Sequence, residues 1–159
     1  MTMALLRHRP SGARPILAGD FARAMLARGA QKFGHAGAVA IETDALHLPL
    51  RSASLDLVVT AFGFRNLANY EAGLKEFHRV LKPGGTLLIV AESCKKGTYS
   101  KLQWPVMKLL RFSNLGVDDH RALFLAAGYS DVQILTQPAK GWICGIGKKP
   151  LADPPTAPA

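Results

Sequence analysis

Cysteine, acid and long apolar runs are scarce in these 159 residues, and each scarcity excludes something. No apolar run approaches the roughly 20 residues that a membrane span needs. The opening MTMALLRHRPSGARP is too briefly apolar for a secretory signal. It carries arginine and no acid before Asp20, which leaves an organellar transit peptide as the alternative to a cytoplasmic start. Two cysteines, Cys94 and Cys144, make no disulfide framework. No His/Cys spacing suggests a zinc site, so no metal is expected and a reduced, cytoplasmic setting is the default. Neither cysteine has a partner histidine nearby in sequence that would mark a nucleophile.

Acid is outnumbered, with 11 Asp and Glu against 20 Lys and Arg, for a net charge of +9. Such a balance invites a nucleic-acid partner. The basic residues are scattered, however, in small clusters at Arg7–Arg9, Lys95–Lys96 and Lys148–Lys149. No aromatic-interleaved basic stripe appears. A solvated surface near an anionic substrate or lipid headgroup is the preferred reading, with peripheral membrane association as its corollary. Hydrophobic residues make up 48% and charged residues 19%, which is the balance of a globular domain large enough to bury a core.

The periodicities predict an alternation of strands and helices. PILAG (15–19) is a short buried strand ending at Asp20, and residues 21–33 place Phe21, Met25, Leu26, Ala30 and Phe33 near one helical face. VAIET (39–43) is a second strand ending at Asp44, and DALHLPL is a loop that Pro49 keeps from continuing. LDLVVTA (55–61) is almost unbroken apolar, the pattern of a parallel strand covered on both faces. Asn69 caps a helix with Tyr70, Leu74, Phe77 and Leu81 on one face. KPGG (82–85) stops that helix and starts the strand TLLIVAE. Asp118 or Asp119 caps a further helix ending at Gly128, with Leu123 and Phe124 inward, before the strands VQILT and WICGIG. PLADPPTAPA is a Pro/Ala tail expected to be disordered. The order β-α-β-β-α-β-α-β-β argues for an α/β sheet with a doubly wound core and a hairpin at one edge. The expected division is a basic segment at 1–14, a domain at 15–149 and the tail at 150–159.

In an open α/β sheet the ligand lies beyond the carboxyl ends of the strands. Asp20 stands at one such end, where a carboxylate can accept both hydroxyls of a ribose. Asp44 stands at the next, and with the Ala45 amide it can pair with the amino group and a ring nitrogen of adenine. Phe62 and Gly63 end the third, the one offering a flat ring and the other a close backbone approach. Each of these alone is as readily a cap or turn former. Together and in order they outline an adenosyl site without a pyrophosphate.

The stretch from Ala18 to Glu92 resembles class I S-adenosylmethionine-dependent methyltransferases, and within them the ubiquinone/menaquinone-biosynthesis C-methyltransferase group. The motifs are GDFARAML (19–26), TDALHLPL (43–50), SLDLVVTAFGFRNL (54–67) and EFHRVLKPGGTLLIVAE (76–92). The last marks the superfamily, and AFGFRN points to the quinone group. The resemblance implies a Rossmann-like, mostly parallel sheet with a C-terminal antiparallel hairpin, and S-adenosylmethionine as cofactor. Asp20, Phe21, Asp44, Ala45, Phe62 and Gly63 would then bind the cofactor, and Arg65 and Asn66 would face the acceptor ring. An arginine stays protonated, so Arg65 would hold a developing phenolate rather than remove its proton. The residues alone leave a second reading open, in which Arg65 neutralises a neighbouring carboxylate and Asn66 begins a turn.

The chain departs from that family in three places. No strand with a loop of the form E/D-x-G-x-G-x-G precedes Pro15, so the fold is expected to be N-terminally truncated. The open sheet centre would be closed by PILAG meeting LDLVVTA directly, by the TMALL piece, or by a partner chain. Ser93–Gly116 is short for the helical insert of the quinone group, whose Tyr-rich tail is also not evident. Three functions therefore compete: a small-molecule methyltransferase, a remnant that binds a partner or a second copy through the sheet, and a dinucleotide-binding module. The last is weakened because no GxGxxG follows a strand.

Overall fold

The computed structural model describes residues 1–33, 37–92 and 115–151. They form two compact units that divide between Pro49 and Leu50.

In the first unit, helix α1 (Thr2–Arg7) precedes strand β1 (Ile16–Asp20), helix α2 (Arg23–Phe33) and strand β2 (Ala38–Glu42). β1 and β2 run parallel, with Ile16 opposite Ala38 and Asp20 opposite Glu42. The α2 crossover explains this direction, because parallel strands need a connection longer than a hairpin turn. α2 packs on both strands and α1 touches α2 and β1. Residues 2–7, within the TMALL piece considered as a filling strand, are therefore helical and add nothing to the sheet. Gly37 sits at φ +86°, and its carbonyl accepts from both the Ile16 amide and the Arg9 guanidinium at 2.9 Å. The positive φ is what favours glycine; a Cβ would lie 2.4 Å from Arg9 Nη1, the far end of a flexible side chain that can move aside.

The second unit opens with strand β3 (Leu55–Ala61), followed by a 3₁₀ turn (Phe64–Asn66), helix α3 (Tyr70–Val80) and strand β4 (Leu81–Glu92). Beyond these come helix α4 (Val117–Ala126) and the strands β5 (Ser130–Gln137) and β6 (Trp142–Lys148). The sheet order is β3-β4-β6-β5, parallel between β3 and β4 and antiparallel in the other two pairings. The β5–β6 hairpin stands at one edge, as the sequence predicts. Most of the Ser93–Gly116 stretch (residues 93–114), with the Lys95–Lys96 cluster, and most of the Pro/Ala tail lie outside the described residues.

Asn69 caps α3 by accepting the Ala72 amide at 3.0 Å, and the helix buries Leu74, Phe77 and Val80. Phe124 of α4 lies against Gly145 and Gly147 of β6, where an added Cβ at Gly147 would come within 2.6 Å of the ring. The two glycines thus form a slot that lets a phenylalanine sit directly on the sheet. Tyr129 donates its hydroxyl to the Leu74 carbonyl at 3.2 Å and so ties the α4–β5 corner to α3. Burial pushes the Tyr129 hydroxyl pKa well above its ordinary value, which keeps it a donor.

Three sequence expectations change. KPGG does not separate helix from strand: α3 ends at Val80 and β4 begins at Leu81, with the register against β3 jumping from Leu55–Leu81 to Leu57–Thr86. The extra residues form a bulge pinned by Lys82, which donates to Asp56 at 2.6 Å. Neither Asp118 nor Asp119 is the cap of α4. Gly116 holds that position, and Asp119 in the first turn accepts the Gly116 amide at 2.8 Å. Finally, β3 is not covered on both faces among the described residues. None of its seven residues is fully buried and Leu57 is 48% exposed. Among the described residues β3 pairs only with β4 and so stands at an edge of their sheet, whereas the apolar pattern alone suits a central strand. PILAG and LDLVVTA likewise belong to different sheets and do not pair with one another.

Candidate functional site

The carboxyl ends of β1 and β2 bring two acids to one edge of the first unit. Asp20 is exposed, and its Oδ1 accepts the Ala22 amide at 2.8 Å. Asp44 repeats the arrangement, with Oδ1 accepting from Leu46 at 2.9 Å. Both are side-chain turns in which a short carboxylate fixes the backbone two residues on. The Asp20 carbonyl accepts the Thr43 amide at 3.1 Å, which fastens the two loops together. Each acid keeps a second oxygen toward solvent; that of Asp44 lies 3.8 Å from His47 Nδ1. The Ala45 amide makes no hydrogen bond among the described residues. Phe21, 79% exposed, stands between the turn and α2 without packing on a core.

In the second unit the exit from β3 is strained. Phe62 sits at φ +59°, a region that costs a non-glycine residue on the order of 1–2 kcal/mol. Its amide donates to the Val90 carbonyl at 2.8 Å, extending the β3–β4 ladder beyond the strand. Gly63 then starts the 3₁₀ turn, closed by the Asn66 amide donating to the Gly63 carbonyl at 2.9 Å. Phe64 is buried within that turn and stacks on Tyr70 at 4.9 Å, which anchors the loop to α3. Arg65 on the turn is thereby held rigidly, with Nη1 donating to Glu92 Oε2 at 2.5 Å. Asn66 is exposed at the end of the turn.

The structure therefore gathers Asp20, Phe21, Asp44 and Ala45 on one unit, and Phe62, Gly63, Arg65 and Asn66 on the other. The guanidinium does meet a carboxylate, as one of the two sequence readings has it. The pair is about a third exposed at both ends, so it stays open to a ligand. Glu92 was missed as a site residue, although as the last residue of β4 it follows the strand-end rule that marks Asp20. Trp142 was missed too, and nothing local marks it. It opens β6, stands opposite Glu92, and meets the Phe62 ring edge-on at 5.6 Å, with Lys140 Nζ 4.7 Å from its ring centre.

The acid pair fits an adenosyl ligand. Two carboxylates at adjoining strand ends, each with one oxygen fixed by an amide and one outward, suit a ribose diol and an exocyclic amine. Among the described residues no group of three His, Cys, Asp or Glu side chains converges as a metal site would. Burial raises the Cys144 thiol above its ordinary pKa, away from nucleophilic reactivity. No helix among the described residues is long and apolar enough to cross a membrane.

Comparison with known proteins places these features. The ubiE/COQ5 methyltransferase family matches residues 1–110. A demethylmenaquinone methyltransferase of Thermus thermophilus is 43% identical over 88 residues, covering 54% of this chain and 40% of that protein. The ubiquinone/menaquinone biosynthesis C-methyltransferase UbiE of Stenotrophomonas maltophilia is 38% identical over 86 residues, covering 52% of this chain and 34% of that protein. The chain thus spans less than half the length of these two relatives. The solved Haemonchus contortus phosphoethanolamine N-methyltransferase 2, in complex with S-adenosyl-L-methionine, superposes with a TM-score of 0.74 at 15% identity. That likeness covers 94% of this chain and 52% of the other, and shows a shared fold.

Proposed function

From a chain that belongs to the ubiE/COQ5 methyltransferase family, we propose methyl transfer from S-adenosylmethionine to a ring carbon of a quinol-type acceptor. The observation that carries the proposal is Arg65, set beyond the end of β3 by a packed 3₁₀ turn and steadied by Glu92. When bound, S-adenosylmethionine supplies an electrophilic methyl group on a positively charged sulfur.

The chain's own residues do the rest. Asp20 accepts the ribose hydroxyls, and Asp44 with the Ala45 amide pairs with the adenine edge. Phe21 flanks the ribose turn, and Phe62 and Gly63 wall the methionine side. Arg65 lies where a phenolate oxygen develops and stabilises it electrostatically; the proton goes to water, since a guanidinium cannot accept it. Asn66 orients the ring by hydrogen bond. The remaining rate comes from holding the attacking carbon in line with the methyl group. The +9 charge suits adsorption to anionic headgroups, where a lipid-tailed acceptor resides, on the cytoplasmic side.

The open edge of β3 favours a second reading. A strand with one neighbour presents unpaired amides and carbonyls, and a partner chain or a second copy would satisfy them. In that reading the chain acts as a binding subunit.

Calorimetric titration of the purified chain with S-adenosylmethionine and S-adenosylhomocysteine separates the two. Micromolar binding is expected, abolished by Asp20→Ala and retained by Lys148→Ala. A folded chain that binds neither ligand favours the binding subunit, and equal effects of the two substitutions remove Asp20 from the site.

A further inference from the structure

Trp142 is costly where it stands. It opens β6, an inner strand of the four-stranded sheet, and is 39% exposed even after contact with Phe62 and Lys140. Phe62, its partner, is also incompletely buried and is held in the left-handed region. A pair of rings assembled for core stability would be buried and relaxed. Neither ring is fully buried and Phe62 is strained, and they lie beside the only acid–base pair that the β3–β4 end presents among the described residues. Sheet pairing puts Trp142 directly opposite Glu92, whose carboxylate holds Arg65. One strand end therefore carries an exposed indole, a ring bracing it, the Lys140 ammonium and the Arg65–Glu92 ion pair.

We infer that Trp142 is the stacking platform for the acceptor and selects a planar aromatic ring bearing an ionisable hydroxyl. This rests on the methyl-transfer reading and names the class of acceptor it would take. An indole offers a broad face to another flat ring, and an aromatic pair gains more than its area burial alone. A phenolate on that ring finds the Lys140 ammonium beside the indole. Lys140 lies over the indole, and a ring sliding beneath it exchanges a cation–π contact for an ion pair.

The test uses the full chain carrying Trp104→Phe, so that Trp142 is the sole indole emitter. Anaerobic 1,4-naphthoquinol is titrated with and without S-adenosylhomocysteine, followed by fluorescence and calorimetry, with the ring-saturated decalin diol as the non-planar control. Saturable quenching by the quinol but not the diol is expected. Trp142→Ala, made in the unaltered chain and followed by calorimetry, should weaken quinol binding at least tenfold and Trp142→Phe less than threefold, with S-adenosylhomocysteine affinity unchanged in both. Lys140→Ala should weaken binding of the ionised quinol more than that of the neutral one. Quinol binding that leaves the Trp142 emission unmoved, equal binding of the diol, or an unaffected Trp142→Ala overturns the inference, as does a quinol that does not bind at all. Quenching in a chain that ignores S-adenosylhomocysteine upholds the platform and removes methyl transfer instead.

Discussion

The unit up to Pro49 and the unit after it each contain a pair of parallel strands joined by a helix, yet they bury their apolar residues to different extents. In the first, Phe33 alone is fully buried among the described residues, while Leu17, Phe21, Met25 and Val39 remain exposed. In the second, Phe64, Leu74, Phe77, Val80, Leu81, Leu87, Ile89, Phe124 and Ile143 form a continuous core between one face of a four-stranded sheet and two helices. A two-stranded sheet has too few neighbours to exclude water from both faces, and such sheets are marginal alone. The proposed cofactor acids therefore stand on the less buried unit and the proposed acceptor residues on the more buried one. Ligand-binding elements are drawn from the low-stability end of a structure, and the acid-bearing loops fit that pattern.

The largest expected effect separates the two units by their cores. Phe124→Ala removes the ring from the Gly145–Gly147 slot and should cost about 3–5 kcal/mol in chemical denaturation. Phe33→Ala should instead leave the main denaturation transition in place and abolish amide-exchange protection in β1 and β2. A shared, equal loss would mean that the two units unfold as one. A smaller effect comes from acid. Burial lowers the pKa of His120, 1% exposed, and of His78 from the ordinary 6.5, the latter helped by the Lys149 charge. Each ring nitrogen Nε2 is buried without a hydrogen-bond partner. The unfolded chain then binds the extra protons, so this stability is complete above about pH 6.5 and is lost as pH falls through the lower folded-state values. The melting temperature of the second unit should drop over that range, less steeply in His120→Leu; a melting temperature independent of pH there would sink the assignment. Lys75→Ala should do least. Its ammonium meets Glu71 at 2.7 Å on the exposed face of α3, where water screens the pair, and the melting temperature should not move.

Local rules read best where local physics dominates. The bounds of β3 follow from its apolar run, and the start of α3 follows from a side-chain cap three residues before the amide that donates to it. The strand-end acids Asp20 and Asp44 were legible because a carboxylate after an apolar run marks a loop edge whatever the strand's neighbours are. KPGG was misread because a bulge and a turn share residues, and only the partner strand decides between them. β3 was expected in the middle of a sheet because apolar composition does not encode how many strands lie beside it. Trp142 and Glu92 were missed together: fifty residues separate them along the chain, and antiparallel pairing makes them neighbours.

The sequence by itself determined the order and kind of most elements, the family, and the acids and the Arg65–Asn66 pair that follow the strands. These depend on periodicity, capping and turn chemistry, which act within a few residues. Only the tertiary structure decided which strands pair, that β3 is an edge, that Arg65 is held by Glu92, and that Phe62 braces an exposed tryptophan from the far hairpin. Those outcomes depend on contacts between distant segments, whose energies no local pattern carries.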